Sequence, residues 1–149
     1  DNDGAHIYIV NNSNVSCCDA VGFAAVGGGY RHAESQFMQA GHHRASGVPE
    51  TLFLTYLAKK KAEIAPGVGN DTDLIYIGPN LGQSDFIHPN ILRELEKIYE
   101  RHSINEKNLA ETSRKKTKNF IKKFLKRATS KQPPSSQSPS GVPPTSPPL

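Results

Sequence analysis

The sequence predicts an α+β fold, and three observations on its 149 residues support this prediction. Short runs rich in β-branched and aromatic residues predict strands at 5–10, 20–26 and 73–77. Segments with apolar residues at helical spacing lie between and after these runs. Glycine, proline and asparagine residues separate the segments, as is typical of turns.

The first two predicted strands are expected to form a hairpin. Residues 5–10 read AHIYIV and are followed by turn-forming residues at 11–14. Residues 20–26 read AVGFAAV, whose small apolar side chains suit a strand that is covered on both faces. The third strand, DLIYI at 73–77, follows two predicted helices.

Three consecutive glycines at 27–29 end the second predicted strand. Glycine permits a positive φ and a close approach of other backbone, so the run predicts a tight structural turn. A phosphate-binding loop is the alternative. The residues that follow lack the Lys-Ser/Thr pair of a P-loop and the glycine spacing of a dinucleotide-binding motif, which favours the structural turn.

Four amphipathic helices are predicted, over residues 30–43, 49–62, 88–100 and 105–127. Pro49 suits the first turn of the second helix, because an amide hydrogen is not needed there. The predicted apolar sides are, in chain order, Ala33, Phe37, Met38 and Ala40; Leu52, Phe53, Tyr56, Leu57 and Ala62; Ile91, Leu92, Leu95, Ile98 and Tyr99; and Leu109, Phe120, Ile121, Phe124 and Leu125.

The net charge of +4 conceals an uneven distribution. Residues 1–111 carry nine Lys/Arg against fourteen Asp/Glu, which gives −5. Residues 112–149 carry nine Lys/Arg and no acidic residue, which gives +9. We therefore divide the chain into an α+β domain at 1–111, a basic amphipathic helix at 112–127 and a disordered tail at 128–149, whose Pro/Ser-rich composition cannot build a core.

The basic helix is the clearest predicted binding element. Its apolar residues fall on one side, and its closely spaced cations repel one another, so an acidic partner would stabilise it. Nucleic acid, an anionic membrane surface and simple docking of the helix through its apolar residues are the alternatives. An acidic protein is expected to contact Arg114, Lys115, Lys116, Lys122, Lys123, Lys126 and Arg127.

The sequence predicts a cytoplasmic protein. No apolar run approaches the roughly 20 residues of a membrane-spanning helix, and no signal-like apolar segment is present. The two cysteines, Cys17 and Cys18, are adjacent. Neighbouring Cα atoms lie about 3.8 Å apart, which is too close for an unstrained disulfide, so a reducing compartment fits.

No catalytic, cofactor-binding or metal-ligating residue is predicted, and no cofactor is expected. Ser35, His32 and Asp73 supply the groups of a nucleophilic triad, but their spacing fixes no geometry. An enzymatic role for this chain is therefore not assigned.

The neighbouring histidines His42 and His43 point about 100° apart if they are helical, which prevents them from sharing a metal. Adding His32 and Glu34 gives no ligand spacing typical of a zinc site. Solvent-exposed polar residues at a helix end are the expectation for both histidines.

Several features follow one another in order between residues 3 and 78. An apolar segment ends in the glycine turn at 23–29, and Ala33 lies early in the next helix. The second helix opens with an acidic residue and ends in a basic run at 50–61, and a glycine-containing loop then leads to the aspartate-started strand at 73–77. This order resembles the second half of a proteasome β-type subunit, a member of the N-terminal nucleophile hydrolase superfamily.

The resemblance implies part of the αββα sandwich of that superfamily, followed here by C-terminal helices and a disordered tail. It also implies a parent threonine-type endopeptidase that assembles with other proteasome-like subunits as a homo- or hetero-oligomer. The family's nucleophilic threonine, lysine and aspartate lie in the front half of the subunit, and this chain starts at a point equivalent to mid-subunit. We therefore expect a structural or assembly role without peptidase activity.

This sequence departs from the family pattern at two further places. Gly28 and Tyr30 stand where a glycine-serine turn is common. Ala62 or Glu63 stands where an aspartate follows the second helix. Part of a two-sheet sandwich would leave one sheet face uncovered, so oligomerisation, instability or dependence on a missing N-terminal half is expected. The alternative is a non-enzymatic interaction module that binds acidic partners through residues 114–149.

Overall fold

The computed structural model describes residues 4–78, 80 and 82–129, and within them it contains three helices and two small antiparallel sheets. The fold is therefore mixed α and β, as the sequence predicts. The chain divides into two compact units, Asp1–Ser103 and Ile104–Leu149, and the last helix contributes residues to both. The elements are β1 (Tyr8–Asn11), β2 (Asn14–Cys17), α1 (Tyr30–Gln39), α2 (Val48–Ala62), β3 (Ile75–Ile77), β4 (Ser84–Phe86) and α3 (Pro89–Thr129).

The first hairpin consists of β1 and β2, which pair antiparallel with Val10 opposite Val15. Asn12 and Ser13 form its two-residue loop. The amide of Asn14 donates a hydrogen bond to the side-chain oxygen of Asn11 at 3.1 Å. The asparagine-rich turn at 11–14 is thus where the sequence predicts it, but it joins strands that lie much closer in sequence than expected.

The prediction that residues 20–26 form the second strand of this hairpin is wrong. The amide of Gly22 donates to the carbonyl of Cys18 at 2.9 Å, and Gly22 has a φ of 76°, so the chain turns here. Phe23 then stacks on Phe37 of α1, with ring centroids 4.8 Å apart. The apolar character of Phe23 and Ala25 reflects packing against the helices and not pairing in a sheet.

The second hairpin consists of β3 and β4, with Ile75 opposite Phe86 and Ile77 opposite Ser84. β3 is the C-terminal part of the strand that the sequence predicts at 73–77. The sequence predicts no strand at β4, because the three residues SDF are too few to show a strand pattern. The amide of Ile87 donates to the carbonyl of Leu74 at 2.8 Å and extends the pairing by one step.

The core lies where α1 packs against α2. Pro49 and Glu50 lie in the first turn of α2, as the sequence predicts. Met38, which the sequence assigns to the apolar side of α1, is exposed instead. Small residues at the helix contact allow the two backbones to approach closely, and the buried cluster comprises Ala33, Phe37, Leu54, Leu57, Ala58 and Ala62.

The glycine run at 27–29 is a structural turn in which Gly27 has a φ of 98°. Gly29, the residue before α1, lies against the last residue of α2. A Cβ atom placed on Gly29 would be 2.7 Å from both the Cβ and the carbonyl oxygen of Ala62. The glycine at position 29 is therefore needed for close helix packing, which supports the structural interpretation of this turn.

Replacing Gly29 by alanine is expected to lower the free energy of unfolding by about 1–3 kcal/mol, the usual cost of overpacking. The φ of Gly29 is −96°, so the loss would come from the clash with Ala62 and not from the backbone. Gly69→Ala is the matched control, because a Cβ there meets open space. Urea unfolding followed by circular dichroism measures both, and equal midpoints for the two variants would contradict the close approach.

The helices predicted at 88–100 and 105–127 are one continuous helix, α3, of 41 residues. The residues between the two predicted segments contain no glycine or proline, so nothing interrupts the backbone hydrogen bonds there. Leu95 is buried against the rest of its unit, and the ring of His102 packs edge-on against Phe53 at 5.7 Å. The unit boundary at Ser103 thus falls inside a helix and not in a linker.

Two sequence predictions remain, the disordered tail and the lack of a membrane-spanning helix. The disordered tail predicted at 128–149 lies outside the described residues from residue 130 onward. Within residues 4–129, as far as they are described, no helix has both the length and the apolar character that crossing a membrane requires.

Candidate interaction site

Each hairpin presents an apolar face to solvent. Residues directly opposite in an antiparallel pair point to the same side, so the register places Tyr8, Val10, Val15 and Cys17 on one face, which we call the first hairpin face. All four side chains are exposed, and Val10 has 72% of its surface accessible. Apolar side chains on one exposed sheet face indicate a surface that another layer can cover.

The second hairpin face comprises Ile75, Ile77 and Phe86, which the register places on one side of β3 and β4. Ile77 is 77% exposed and Phe86 is 76% exposed. The opposite side carries the half-buried Tyr76 and its cross-strand neighbour Asp85. Within the described residues each sheet has only two strands, so the outer edges of both hairpins carry no further strand.

A cleft of about 630 Å³ adjoins the second hairpin face. The N-terminal half of α2, including Leu52, lines the cleft together with the second hairpin and Ile91 of α3. Most of the lining residues are apolar, and the polar ones are Thr51, Thr55, Tyr76, Asp85 and His88. Such a cleft can receive apolar side chains from a partner.

A polar network joins α2 to α3. The hydroxyl of Tyr56 donates to the Glu96 carboxylate, and the Lys60 ammonium lies 3.1 Å from the same carboxylate. Burial and the Glu96 charge raise the pKa of Tyr56, and the Tyr56 hydrogen bond lowers the pKa of Glu96 despite partial desolvation. Burial opposes the charge on Lys60, but Glu96 and Glu63 outweigh it and raise its pKa.

This network ties α2 to α3 and contains no activated group. The Tyr56 hydroxyl is held protonated, and Glu96 and Lys60 are held charged, so none of the three is poised to exchange a proton near neutral pH. The arrangement is structural. The sequence pattern does not predict the contact between Tyr56 and Glu96, because 40 residues separate them.

A second polar contact closes the first hairpin. Asp19 accepts a hydrogen bond from the amide of Ile7 at 2.7 Å and lies 2.5 Å from Nδ1 of His6. The contact with His6 and the amide of Ile7 lower the pKa of Asp19 to about 2. Cys17 and Cys18 lie next to this pair as free thiols. The carboxylate thus fixes the chain where it leaves β2.

The structure does not assemble a triad from Ser35, His32 and Asp73. The Ser35 hydroxyl donates to the backbone carbonyl of His32 at 2.8 Å, one turn earlier on α1. In the part of the chain that the structure describes, no hydrogen bond joins Ser35 to the His32 ring or to Asp73. This serine therefore has no activating base in the described structure.

The expectation of solvent exposure is wrong for His42. α1 ends at Gln39, and the His42 ring is half-buried and packs edge-on against Phe37 at 5.3 Å. Its Nδ1 is enclosed without a hydrogen-bond partner among the described atoms. His43 is exposed, and its Nδ1 accepts a hydrogen bond from the amide of Ala45 at 3.2 Å. Among residues 4–129, as described, no three His, Cys, Asp or Glu side chains group as metal ligands would.

The basic segment of α3 forms the second candidate interaction surface. Phe120, Ile121, Phe124 and Leu125, which we call the apolar stripe, lie on one side of the helix and are all exposed. None of the side chains described between residues 104 and 127 is buried. The cationic side chains that the sequence singles out in this segment are exposed too.

Comparison of the chain with protein-family models, with curated proteins and with solved structures finds no match.

Proposed function

We propose that this chain is a structural, assembly-forming part of a cytoplasmic proteasome-like threonine-type peptidase, and that it contributes association surfaces and no catalytic group. The observation that carries the proposal is the exposed second hairpin face beside an apolar cleft. The ordered resemblance to a proteasome β-type subunit supports it. Of the elements in that order, α1, α2 and β3 form at or within the predicted segments, whereas residues 20–26 do not form a strand.

The physical argument concerns what a two-stranded sheet needs. An isolated hairpin is marginally stable in water, and it gains stability from a third strand or from a layer that covers its apolar face. Both hairpins here have open edges and exposed apolar faces within the described residues. In the N-terminal nucleophile hydrolase sandwich, two sheets cover one another between helix layers. Further strands of a proteasome-like subunit would therefore cover the first and second hairpin faces and pair with their open edges.

Sedimentation velocity of the full chain over a range of concentrations tests the proposal. We expect concentration-dependent assembly, which the double variant Ile77→Ser/Phe86→Ser weakens by about tenfold or more because it removes two apolar side chains that assembly would bury. The control is Met38→Ser/Ile64→Ser, which removes two apolar side chains that are also mostly exposed and lie outside both hairpins. Electron microscopy of the assembled fraction should show closed particles with a central cavity.

Two results would contradict the proposal. One is a monodisperse, cooperatively melting monomer at every concentration reached. The other is turnover of fluorogenic peptides that is lost when a residue of this chain is substituted, since that would place catalytic groups within it. If the control variant weakened assembly equally, the second hairpin face would have no specific role in assembly.

A second candidate function is an interaction module that binds an anionic partner through residues 114–127. The apolar stripe and the surrounding cations of α3 favour it, because both are exposed in a segment that buries nothing within its own described unit. Deleting the segment after Ser113 separates the two candidates. Loss of partner binding with unchanged assembly would favour the interaction module.

A further inference from the structure

The basic segment of α3 combines two kinds of surface along one helix. Successive helical residues are about 100° apart, so Phe120 and Phe124 lie within about 40° of each other, as do Ile121 and Leu125. These four side chains are between 45% and 65% exposed. Leu109, also exposed, falls on the same side three turns earlier, but Ser113 and Thr117 occupy that side in between, so the apolar stripe is confined to residues 120–125.

Cations occupy most of the remaining circumference, and Arg114 falls on the stripe side, between the directions of Ile121 and Leu125. Between residues 112 and 127 there are eight Lys/Arg and no acidic residue. Like charges one turn apart include Lys118 with Lys122 and Lys122 with Lys126. The Cβ atoms of such pairs lie about 5–6 Å apart, less than the Debye length of about 8 Å at physiological salt, so these lysines repel one another. Lys115 is compensated in part by Glu111, whose carboxylate lies 3.0 Å from its ammonium.

We propose that residues 114–127 lie flat on an anionic lipid surface, with the apolar stripe in the acyl boundary and the lysines at the headgroup phosphates. The proposal rests on the second candidate function and names its partner. Lysine and arginine stems run along apolar surface while their charges stay at the polar boundary, which matches cations that flank a stripe on both sides. One anionic lipid layer contacts both surfaces of the helix at once.

The composition of the segment favours lipid over the other anionic partners. Nucleic acid offers phosphates but needs no stripe of phenylalanine, isoleucine and leucine. Acidic protein sites favour arginine, whose planar group pairs with two carboxylate oxygens, yet six of the eight cations here are lysines. A fluid headgroup layer imposes no such geometry and is suited to lysine-rich helices with apolar faces.

Flotation of the full chain with vesicles tests the proposal. One set of vesicles contains phosphatidylcholine alone, and the other contains phosphatidylcholine mixed with phosphatidylserine. We expect binding to the second set only, with weakening as salt is raised. Phe120→Ser/Phe124→Ser and Lys118→Gln/Lys122→Gln should each weaken that binding by about an order of magnitude.

Matched controls come from the other unit and from the start of the helix. Met38→Ser/Ile64→Ser removes two exposed apolar side chains outside the segment, and Lys97→Gln/Lys107→Gln removes two exposed lysines outside it. Both controls should bind vesicles as the unmodified chain does. Sedimentation without vesicles should show the same assembly state for the stripe and lysine variants as for the unmodified chain. A failure of the lipid-binding proposal can then be distinguished from a failure of the assembly proposal.

Three outcomes would overturn the proposal. The first is the absence of binding to phosphatidylserine-containing vesicles at low salt. The second is binding that the stripe or lysine substitutions leave unchanged. The third is preferential binding to single-stranded RNA that prevents vesicle binding at equal phosphate concentration, which would assign the segment to nucleic acid.

Discussion

Replacing Phe37 by alanine is expected to remove most of the stability of the helical body, which comprises α1, α2 and the part of α3 up to Ser103. Phe37 is buried between α1 and α2, stacks on Phe23 at 4.8 Å and contacts the ring of His42. Truncation of a buried phenylalanine costs about 3–5 kcal/mol. Domains of this size are commonly stable by about 5–15 kcal/mol, and a core without any completely buried side chain among the described residues belongs at the low end.

The measurement is urea unfolding followed by far-ultraviolet circular dichroism. Met38→Ala is the matched control, because Met38 is the next residue on the same helix and is 64% exposed. It should change the free energy of unfolding by no more than about 0.5 kcal/mol. Phe37→Leu should give an intermediate loss. If Phe37→Ala and Met38→Ala had equal effects, α1 would not pack against α2 through Phe37.

Replacing Glu96 by alanine is the second large expected effect, at about 1–3 kcal/mol of destabilisation. The substitution leaves the buried Tyr56 hydroxyl without its acceptor and removes the closer of the two carboxylates at Lys60. Glu94→Ala is the control on the same helix, because Glu94 pairs with Lys97 on the exposed side. Exposed pairs of this kind contribute less than about 1 kcal/mol.

A double-mutant cycle identifies the cause. Tyr56→Phe should destabilise the unmodified protein and should have little effect once Glu96 is alanine, because the two residues share one hydrogen bond. The pKa of Glu96 is lowered by folding, so its contribution is present above the ordinary value of 4.5 and is lost as pH falls below it. Additive effects of the two substitutions would show that the hydrogen bond contributes nothing.

The helices were predictable to the extent that their ends carry local signals. Pro49 and Glu50 begin α2 in the sequence and in the structure, and the glycine turn precedes α1 in both. The prediction of two helices after residue 88 is wrong, because α3 runs without a break through residues 101–104, which lie between the two predicted segments. Without glycine or proline, the backbone continues as a helix even where no side chain is buried.

The strands were less predictable, since three or four residues show little periodicity. The Asn-Asn-Ser-Asn turn between Val10 and Val15 was a usable sign of a hairpin with a two-residue loop. The run at 20–26 looked like a strand because its residues are apolar. Apolar residues also cover helices, and only the packing of Phe23 on Phe37 distinguishes the two cases.

The candidate sites depended on contacts between distant residues. The surfaces on β3 and β4 arise because Phe86 pairs opposite Ile75, a register that no local pattern specifies. Ser35, His32 and Asp73 stayed apart for the same reason: residue types suitable for a triad do not set distances between elements. The basic segment was the exception, because helical spacing by itself arranges its stripe and charges.

The sequence by itself determined the helical segments, the glycine turn before α1 and the concentration of positive charge after residue 111, because propensity, chain punctuation and composition act locally. The tertiary structure alone decided that Gly29 meets Ala62, that Tyr56 reaches Glu96 and that two apolar hairpin faces remain exposed. Those outcomes depend on strand register and helix approach, which bring together residues up to 40 positions apart. Packing of the whole unit determines them.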